Sequence, residues 1–147
     1  MALVAASANL AADATAHLTL KASVFTRTRL TTSTPVLDFH VPPADTTASA
    51  AVEFSAAART HLGGEVVLTV EPERWLTGPG GAADVDAAVT FAGDTAETLA
   101  GALLPQTSSV AGRWVGSGLR DGRLVFTLQT PAPGQYRLPL RLVLSAP

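Results

Sequence analysis

Two closely spaced aspartates are the first residues that could perform chemistry. Asp84 and Asp86 lie two positions apart, so a strand would place both carboxylates on one face. With carbonyl oxygens from Gly80 or Gly81 they could share a calcium ion, which prefers roughly six to eight oxygen ligands. A solvated strand start beside a glycine-rich turn explains the same residues. Because only two side-chain ligands can be named, we predict no metal site.

A second carboxylate pair flanks Pro72. Glu71 and Glu73 could act together in glycoside hydrolysis, but that reaction needs two carboxylates held at a defined separation across a cleft. The spacing of these two residues in the sequence does not establish such a cleft. The pair therefore does not identify a glycosidase.

The residues used in zinc and nucleophilic catalysis do not form a complete set. His17, His40 and His61 lie in three separate segments without the spacing of a zinc site. Ser117 has Val115 and Leu119 where a nucleophile elbow needs glycines. No phosphate-binding glycine loop is present. We therefore predict that the protein is not an enzyme and uses no cofactor.

Three aromatic residues offer a binding chemistry instead. Trp75, Trp114 and Tyr136 could stack against sugar rings if they were exposed together on one face. The alternative is that aromatic side chains fill a core, and Phe39, Phe54, Phe91 and Phe126 all fall on apolar faces of predicted strands. Both interpretations depend on the elements that position these rings.

The composition limits the classes of partner. The chain has 147 residues, a formal net charge of -2, 47% hydrophobic and 15% charged residues, and no cysteine. It lacks the basic field that attracts nucleic acid, and no run approaches the length of about 18 apolar residues typical of a membrane span. Ala6-Ser7-Ala8 resembles a signal-cleavage site, but a charged leading region is missing. The N-terminus can equally be a flexible alanine-rich arm.

Alternation of apolar and polar residues is the dominant pattern and predicts an all-β protein. We expect a two-sheet antiparallel β-sandwich, with an immunoglobulin-like or pilin-like Greek key, over residues 14–147, and a flexible arm over 1–13. Asp121-Gly122 is expected to form a tight turn and Asp94–Leu104 a short helix. The predicted strands are Ala16–Val24, Arg29–Ser33, Val36–Val41, Ala48–Ala56, Glu65–Glu71, Val85–Phe91, Gly112–Val115, Arg123–Gln129 and Gln135–Leu144.

The last strand contains a proline. Pro139 cannot donate a hydrogen bond, so its position indicates an edge strand, or one paired on a single side at its centre. We expect this strand to form a hairpin with Arg123–Gln129 through the segment TPAPG, whose two prolines stiffen the turn.

Three segments together resemble secreted bacterial pilin-type sandwiches, in particular spore-coat-U-like and archaic chaperone-usher subunits. They are AHLTLKASV (16–24), PVLDFHVPP (35–43) and GQYRLPLRLVLS (134–145). The chain departs from the pattern at His40, where a glycine is usual, and in lacking a cysteine pair. The resemblance implies a sandwich in which one subunit supplies a strand to its neighbour.

The candidate residues for strand exchange are Leu18, Leu20, Ala22 and Val24, which share one face of the first predicted strand. The alternative, which we favour from the sequence alone, is that these residues form an ordinary first strand of their own domain. The resulting hypothesis is a structural subunit of an extracellular assembly, such as a fimbrium or coat, whose partner is a copy of itself. The alternatives are a virion coat or decoration protein and a carbohydrate-binding module.

Overall fold

A computed structural model describes residues 25–34, 36–83 and 86–147. The described residues form nine strands and one short 3-10 helix, Pro79–Gly81. The predicted strand Ala16–Val24 and the predicted arm over 1–13 lie outside the described residues. The strands are β1 (Arg27–Thr32), β2 (Val36–Val41), β3 (Thr47–Arg59), β4 (Glu65–Pro72), β5 (Ala88–Gly93), β6 (Gly101–Leu103), β7 (Ser109–Val115), β8 (Gly118–Gln129) and β9 (Gly134–Ser145).

The strands form two antiparallel sheets, which confirms the predicted β-sandwich. Sheet 1 has the order β1-β3-β8-β5-β6, and sheet 2 has the order β2-β9-β4-β7. In sheet 1, the run β1-β3-β8-β5 corresponds to the A-B-E-D order of immunoglobulin-like sandwiches, and β9-β4 corresponds to their F-C pair. The position of their last strand, G, beside F is taken by β2.

The core lies between the sheets and follows from the alternation in the sequence. Alternate residues of a strand point to opposite faces, so one face of each long strand can be apolar. Phe39, Phe126 and Leu138 are fully buried, and Phe54 and Phe91 are nearly so. The predicted core role of these phenylalanines is confirmed, and burial of each such side chain contributes about 1.5–3 kcal/mol.

The predicted hairpin between the last two strands is wrong. β8 belongs to sheet 1 and β9 to sheet 2, so the segment after Gln129 crosses from one sheet to the other. Thr130 stays with sheet 1, because its N–H donates to the carbonyl of Thr46 at 2.9 Å. The stiff TPAPG segment therefore makes a corner between sheets.

The predicted helix over Asp94–Leu104 is also wrong. The Thr98 hydroxyl donates to the carbonyl of Thr95 at 2.8 Å and accepts from the Thr95 N–H at 3.0 Å, which closes a turn. Leu99 then donates its N–H to the carbonyl of Ala111, and the chain continues as β6 with Leu103 buried beside β5. Local side-chain hydrogen bonds and pairing with the sheet edge override the helical spacing of the apolar residues.

Asp121-Gly122 lies inside β8, so the predicted turn is wrong there too. Gly122 pairs directly with Phe54 of β3, and Gly101 pairs in the same way with Phe91 of β5. A Cβ on Gly122 would lie 2.6 Å from the Phe54 ring, and one on Gly101 would lie 2.9 Å from the Phe91 ring. These glycines are required because an aromatic ring covers the backbone of the neighbouring strand.

Pro139 does not mark an outermost strand, because β9 lies between β2 and β4. The alternative prediction, a strand paired on a single side at its centre, agrees with the structure, since the ladder partner of Pro139 is Val36 of β2 alone. Its residues Gly134–Pro139 pair with β2, and Leu140–Ser145 pair with β4. The Pro139 carbonyl accepts from the Glu73 N–H at 2.9 Å, so the missing donor faces the bend that follows β4. A proline is tolerated because the regular β4–β9 ladder ends at this point.

We predict that Gly122→Ala destabilises the fold by about 1–3 kcal/mol, because the added methyl group forces the Phe54 ring to move. The free energy of unfolding, measured by chemical denaturation, tests this. In a Phe54→Leu background, Gly122→Ala is expected to lower the free energy of unfolding by less. The two substitutions should be non-additive by at least about 0.5 kcal/mol. An equal cost in both backgrounds would show that the ring contact is not the cause.

Candidate assembly surfaces

The three predicted stacking residues do not form an exposed platform. Tyr136 is 2% exposed and Trp114 is 5% exposed, since both occupy inward positions of their strands. Trp75 is half-buried and packs against the core. A sugar ring cannot reach the faces of two buried aromatic rings, so these residues do not support the stacking interpretation.

Tyr136 has a structural role instead. Its hydroxyl donates to the carbonyl of Ala132 at 2.6 Å and lies 3.2 Å from the hydroxyl of Thr130. A tyrosine near the start of a strand that bonds back to the preceding segment is the tyrosine corner of immunoglobulin-like sandwiches. The contact fixes the crossing between β8 and β9.

The candidate carboxylates are arranged as ion pairs rather than as a catalytic pair. Arg141 lies 3.4 Å from the carboxylate of Glu71 and 4.0 Å from that of Glu73. Asp84 lies outside the described residues, and within those residues no group of three or more histidine, aspartate or glutamate side chains could hold a metal ion. His40 is engaged with Gln135, at 2.7 Å between Nδ1 and Nε2.

The second half of β9 has an open edge. β2 covers β9 only as far as Pro139, so Leu140–Ser145 has β4 on one side and no described strand on the other. Arg137 exchanges two backbone hydrogen bonds with Thr77, on the side facing β4. Because backbone groups alternate between the two sides of a strand, those of Leu142 and Leu144 point to the open side.

The side chains beside this edge are incompletely covered. Leu142 occupies an inward position of β9 but is only half-buried, whereas Leu138 and Leu140 are fully buried. Leu30 of β1, at the facing edge of sheet 1, is likewise half-buried against the core. We call the edge at Leu140–Ser145 the open β9 edge.

Four chain segments meet at one end of the sandwich. The Gly116 N–H donates to the carbonyl of Gly64 at 2.8 Å, and the Ser117 hydroxyl accepts from the Thr60 N–H at 2.9 Å. The Pro147 carbonyl accepts from the hydroxyls of Thr60, at 3.3 Å, and Thr26, at 2.8 Å. These bonds tie the start of β1, the end of β9 and two turns into one surface.

This end exposes large apolar side chains. Leu62 is fully exposed at the tip of the turn 61–64, where Gly63 adopts a φ of +78°. A left-handed residue at that turn position favours glycine, and the turn then directs Leu62 outward. Val115 and Leu119 are more than half exposed nearby, as is Phe25. We call this surface, defined by Leu62, Val115 and Leu119, the apolar end.

Arginines border the apolar end. Arg27 and Arg59 are direct cross-strand partners of β1 and β3, and Arg29 follows on the same face. Like charges placed opposite one another are unfavourable. Elsewhere on the sandwich, Arg113, Arg120, Arg137 and Arg141 have acidic partners. No carboxylate of the described residues pairs with Arg27, Arg29 or Arg59.

An apolar pocket lies toward the opposite end, where β5 begins and β6 ends. It has a volume of about 280 Å³ and is lined mainly by apolar side chains, including Trp75, Val89, Leu103, Leu104 and Pro105. Ala88 lines both this pocket and a neighbouring depression that contains Asp86. We call it the Trp75 pocket.

The predicted exchange residues Leu18, Leu20, Ala22 and Val24 lie outside the described residues, so the strand-exchange prediction stays a prediction. Leu62, Leu142 and the three arginines Arg27, Arg29 and Arg59 were not among the predicted site residues. An apolar residue placed directly before Gly63-Gly64 was the one signal for Leu62. Nothing in the alternation of β9 distinguishes Leu142 from the fully buried leucines before it.

No model of a known protein family and no curated protein matches the sequence. Among the described residues, no helix is long and apolar enough to cross a membrane.

We predict that Tyr136→Phe lowers the free energy of unfolding by about 1–3 kcal/mol, because the Ala132 carbonyl loses its donor. Equilibrium denaturation in urea measures the change. Thr69→Val is a suitable control, since the Thr69 hydroxyl makes an exposed bond of 3.4 Å and its loss should cost much less. Equal costs for the two variants would contradict the assigned role of Tyr136.

Proposed function

We propose that the protein is a non-enzymatic structural subunit that associates with copies of itself through β-strand pairing. The open β9 edge is the observation that carries this proposal. An edge whose backbone groups pair with no described strand, next to the half-buried Leu142, can accept an extended strand through main-chain hydrogen bonds, and alternate side chains of that strand pack against the core. An extracellular location follows only from the resemblance of the strand pattern to pilin-type subunits.

The position of the open β9 edge supports the proposal. In immunoglobulin-like sandwiches a complete strand G lies beside strand F, here β9, and β2 takes that place only along Gly134–Pro139. An added strand beside Leu142 and Leu144 would extend sheet 2 and cover the half-buried side chain of Leu142. The free energy of association would come from main-chain hydrogen bonds and from burial of apolar surface. The burial contributes roughly 25 cal/mol per Å² of apolar surface.

The occupant we propose is the segment Leu18–Val24 of a second copy. Its residues Leu18, Leu20, Ala22 and Val24 present an apolar face at the spacing that a strand requires. Residues 1–24 lead to Phe25, next to Thr26, whose hydroxyl donates to Pro147 just after β9.

We predict that Leu142→Asp and Leu20→Asp each weaken association of the full-length chain about tenfold or more. A buried charge in the added ladder is costly, whereas the adjacent residues Val143 and Thr19 occupy the opposite face. Val143→Asp and Thr19→Asp are therefore the matched controls and should still associate. Sedimentation velocity over a range of concentrations, with electron microscopy of the largest species, measures the effect.

Thermal unfolding of each variant shows whether the fold has survived, and the Leu20→Asp substitution lies outside the described core. The proposal is overturned if the unmodified chain stays monomeric at all concentrations. It is equally overturned if the control substitutions disrupt association as strongly as Leu142→Asp and Leu20→Asp do.

A further inference from the structure

We propose that the apolar end of one copy docks on the Trp75 pocket of the next, with Leu62 inserted into the pocket. This inference rests on the proposed self-association and names a second contact surface for it. The partner is a second copy of this chain, and the contact joins two different surfaces. Such a heterologous contact builds a line of subunits unless its rotation closes a ring.

The two surfaces match in chemistry and size. Leu62 is fully exposed at the tip of its turn, and the pocket of about 280 Å³ is lined mainly by apolar side chains. That volume is slightly below the range of about 300–1,000 Å³ found for drug-sized ligands. An apolar cavity of roughly 150 Å³ already accepts benzene, so the Trp75 pocket has room for a leucine side chain.

The surfaces lie at opposite ends of the sandwich. Leu62 is in the connection from β3 to β4, next to the end of β9. The pocket is formed where β5 begins and β6 ends, and β5 begins beside the last residue of β8, Gln129. Because the two surfaces are at opposite ends, Leu62 cannot fill the pocket of its own chain.

The charges of the two ends are complementary. Arg27, Arg29 and Arg59 border the apolar end and have no carboxylate partner among the described residues. At the pocket end, Asp86 lines the adjoining depression, and the exposed Asp45 directly precedes Thr46 of the same depression. Arg74, which directly precedes Trp75, adds one positive charge. Opposite charges orient the two surfaces. They favour contact between the two different ends over contact between two identical ends.

Cysteine cross-linking tests the contact directly, because the chain contains no cysteine of its own. Leu62→Cys places a thiol at the tip of the turn, and Ala102→Cys places one at an exposed residue that lines the pocket. When the two single variants are mixed and oxidised, we expect the mixed disulfide dimer to exceed either homodimer. A chain carrying both substitutions should give a ladder of covalent multimers.

The control pairs Leu62→Cys with Ala92→Cys, an exposed position of β5 that does not line the pocket. We expect little mixed dimer from this pair. Leu62→Asp should weaken association about tenfold or more, as expected for one buried apolar anchor. Added salt should weaken association of the unmodified chain as well, because it screens the arginine-aspartate attraction.

Quenching of tryptophan fluorescence by iodide gives an independent measurement. Trp114 is buried, so the quenchable emission comes mainly from Trp75. Quenching should fall as the concentration of the unmodified chain rises, and it should not change with concentration in Leu62→Asp. Trp75 could instead be protected from iodide at every concentration, in the unmodified chain and in Leu62→Asp alike. That result would mean that another segment of the same chain fills the pocket, and it would overturn the inference.

The outcomes separate this inference from the proposed function. If the chain associates and Leu142→Asp weakens association, but Leu62→Cys and Ala102→Cys do not cross-link above the control, the end-to-end contact is wrong and strand pairing stands. If Leu62→Asp weakens association while Leu142→Asp does not, strand pairing is wrong and the end contact stands. A chain that is monomeric at every concentration overturns both.

Discussion

The division of β9 between two partner strands is the constraint on which the rest of the structure depends. Five alternating apolar residues, from Tyr136 to Leu144, fix which face of this strand points into the core. The backbone then pairs with β2 as far as Pro139 and with β4 from Leu140 onward. Pro72 pairs with Leu140 at the last position of β4, and Pro139 precedes Leu140, so two prolines without an N–H lie close to the point where the partner changes. A β4 ladder could not continue regularly past this point.

The ends of the sandwich follow from the same arrangement. Beyond Pro72 the chain leaves β4, returns to β9 at Thr77, and places Trp75 beside the first residues of β5. Tyr136 holds the crossing from β8, which keeps the start of β9 in sheet 2. At the other end, the bonds from Thr26 and Thr60 to Pro147 bring the start of β1 and the turn of Leu62 next to the end of β9. The pocket and the apolar end are thus set at opposite ends of one strand.

The fold class could be predicted from the sequence because period-two alternation depends only on which face of a strand is buried. Features that depend on neighbouring strands could not be predicted in this way. Gly122 in the pair Asp121-Gly122 has the chemistry of a turn, and its position in β8 is explained only by the Phe54 ring across the sheet. Pro139 predicts an edge or one-sided pairing at the centre of the strand, and only the bend after β4 explains how β9 accommodates it between two partner strands. The apolar spacing over Asp94–Leu104 was overridden by the Thr95–Thr98 turn.

Three other strand edges among the described residues are better protected than the open β9 edge. Exposed edges invite pairing with other chains, and proteins usually shorten, charge or cover them. β6 has only three residues, β7 is covered by backbone bonds from Glu97 and Leu99, and β1 carries Arg27 and Arg29. The open β9 edge has one charged side chain, Arg141, which is already paired with Glu71, and no described strand pairs with the backbone groups of Leu142 and Leu144. An edge left in this state beside half-buried Leu142 is costly for an isolated subunit, and a strand that covers it removes that cost.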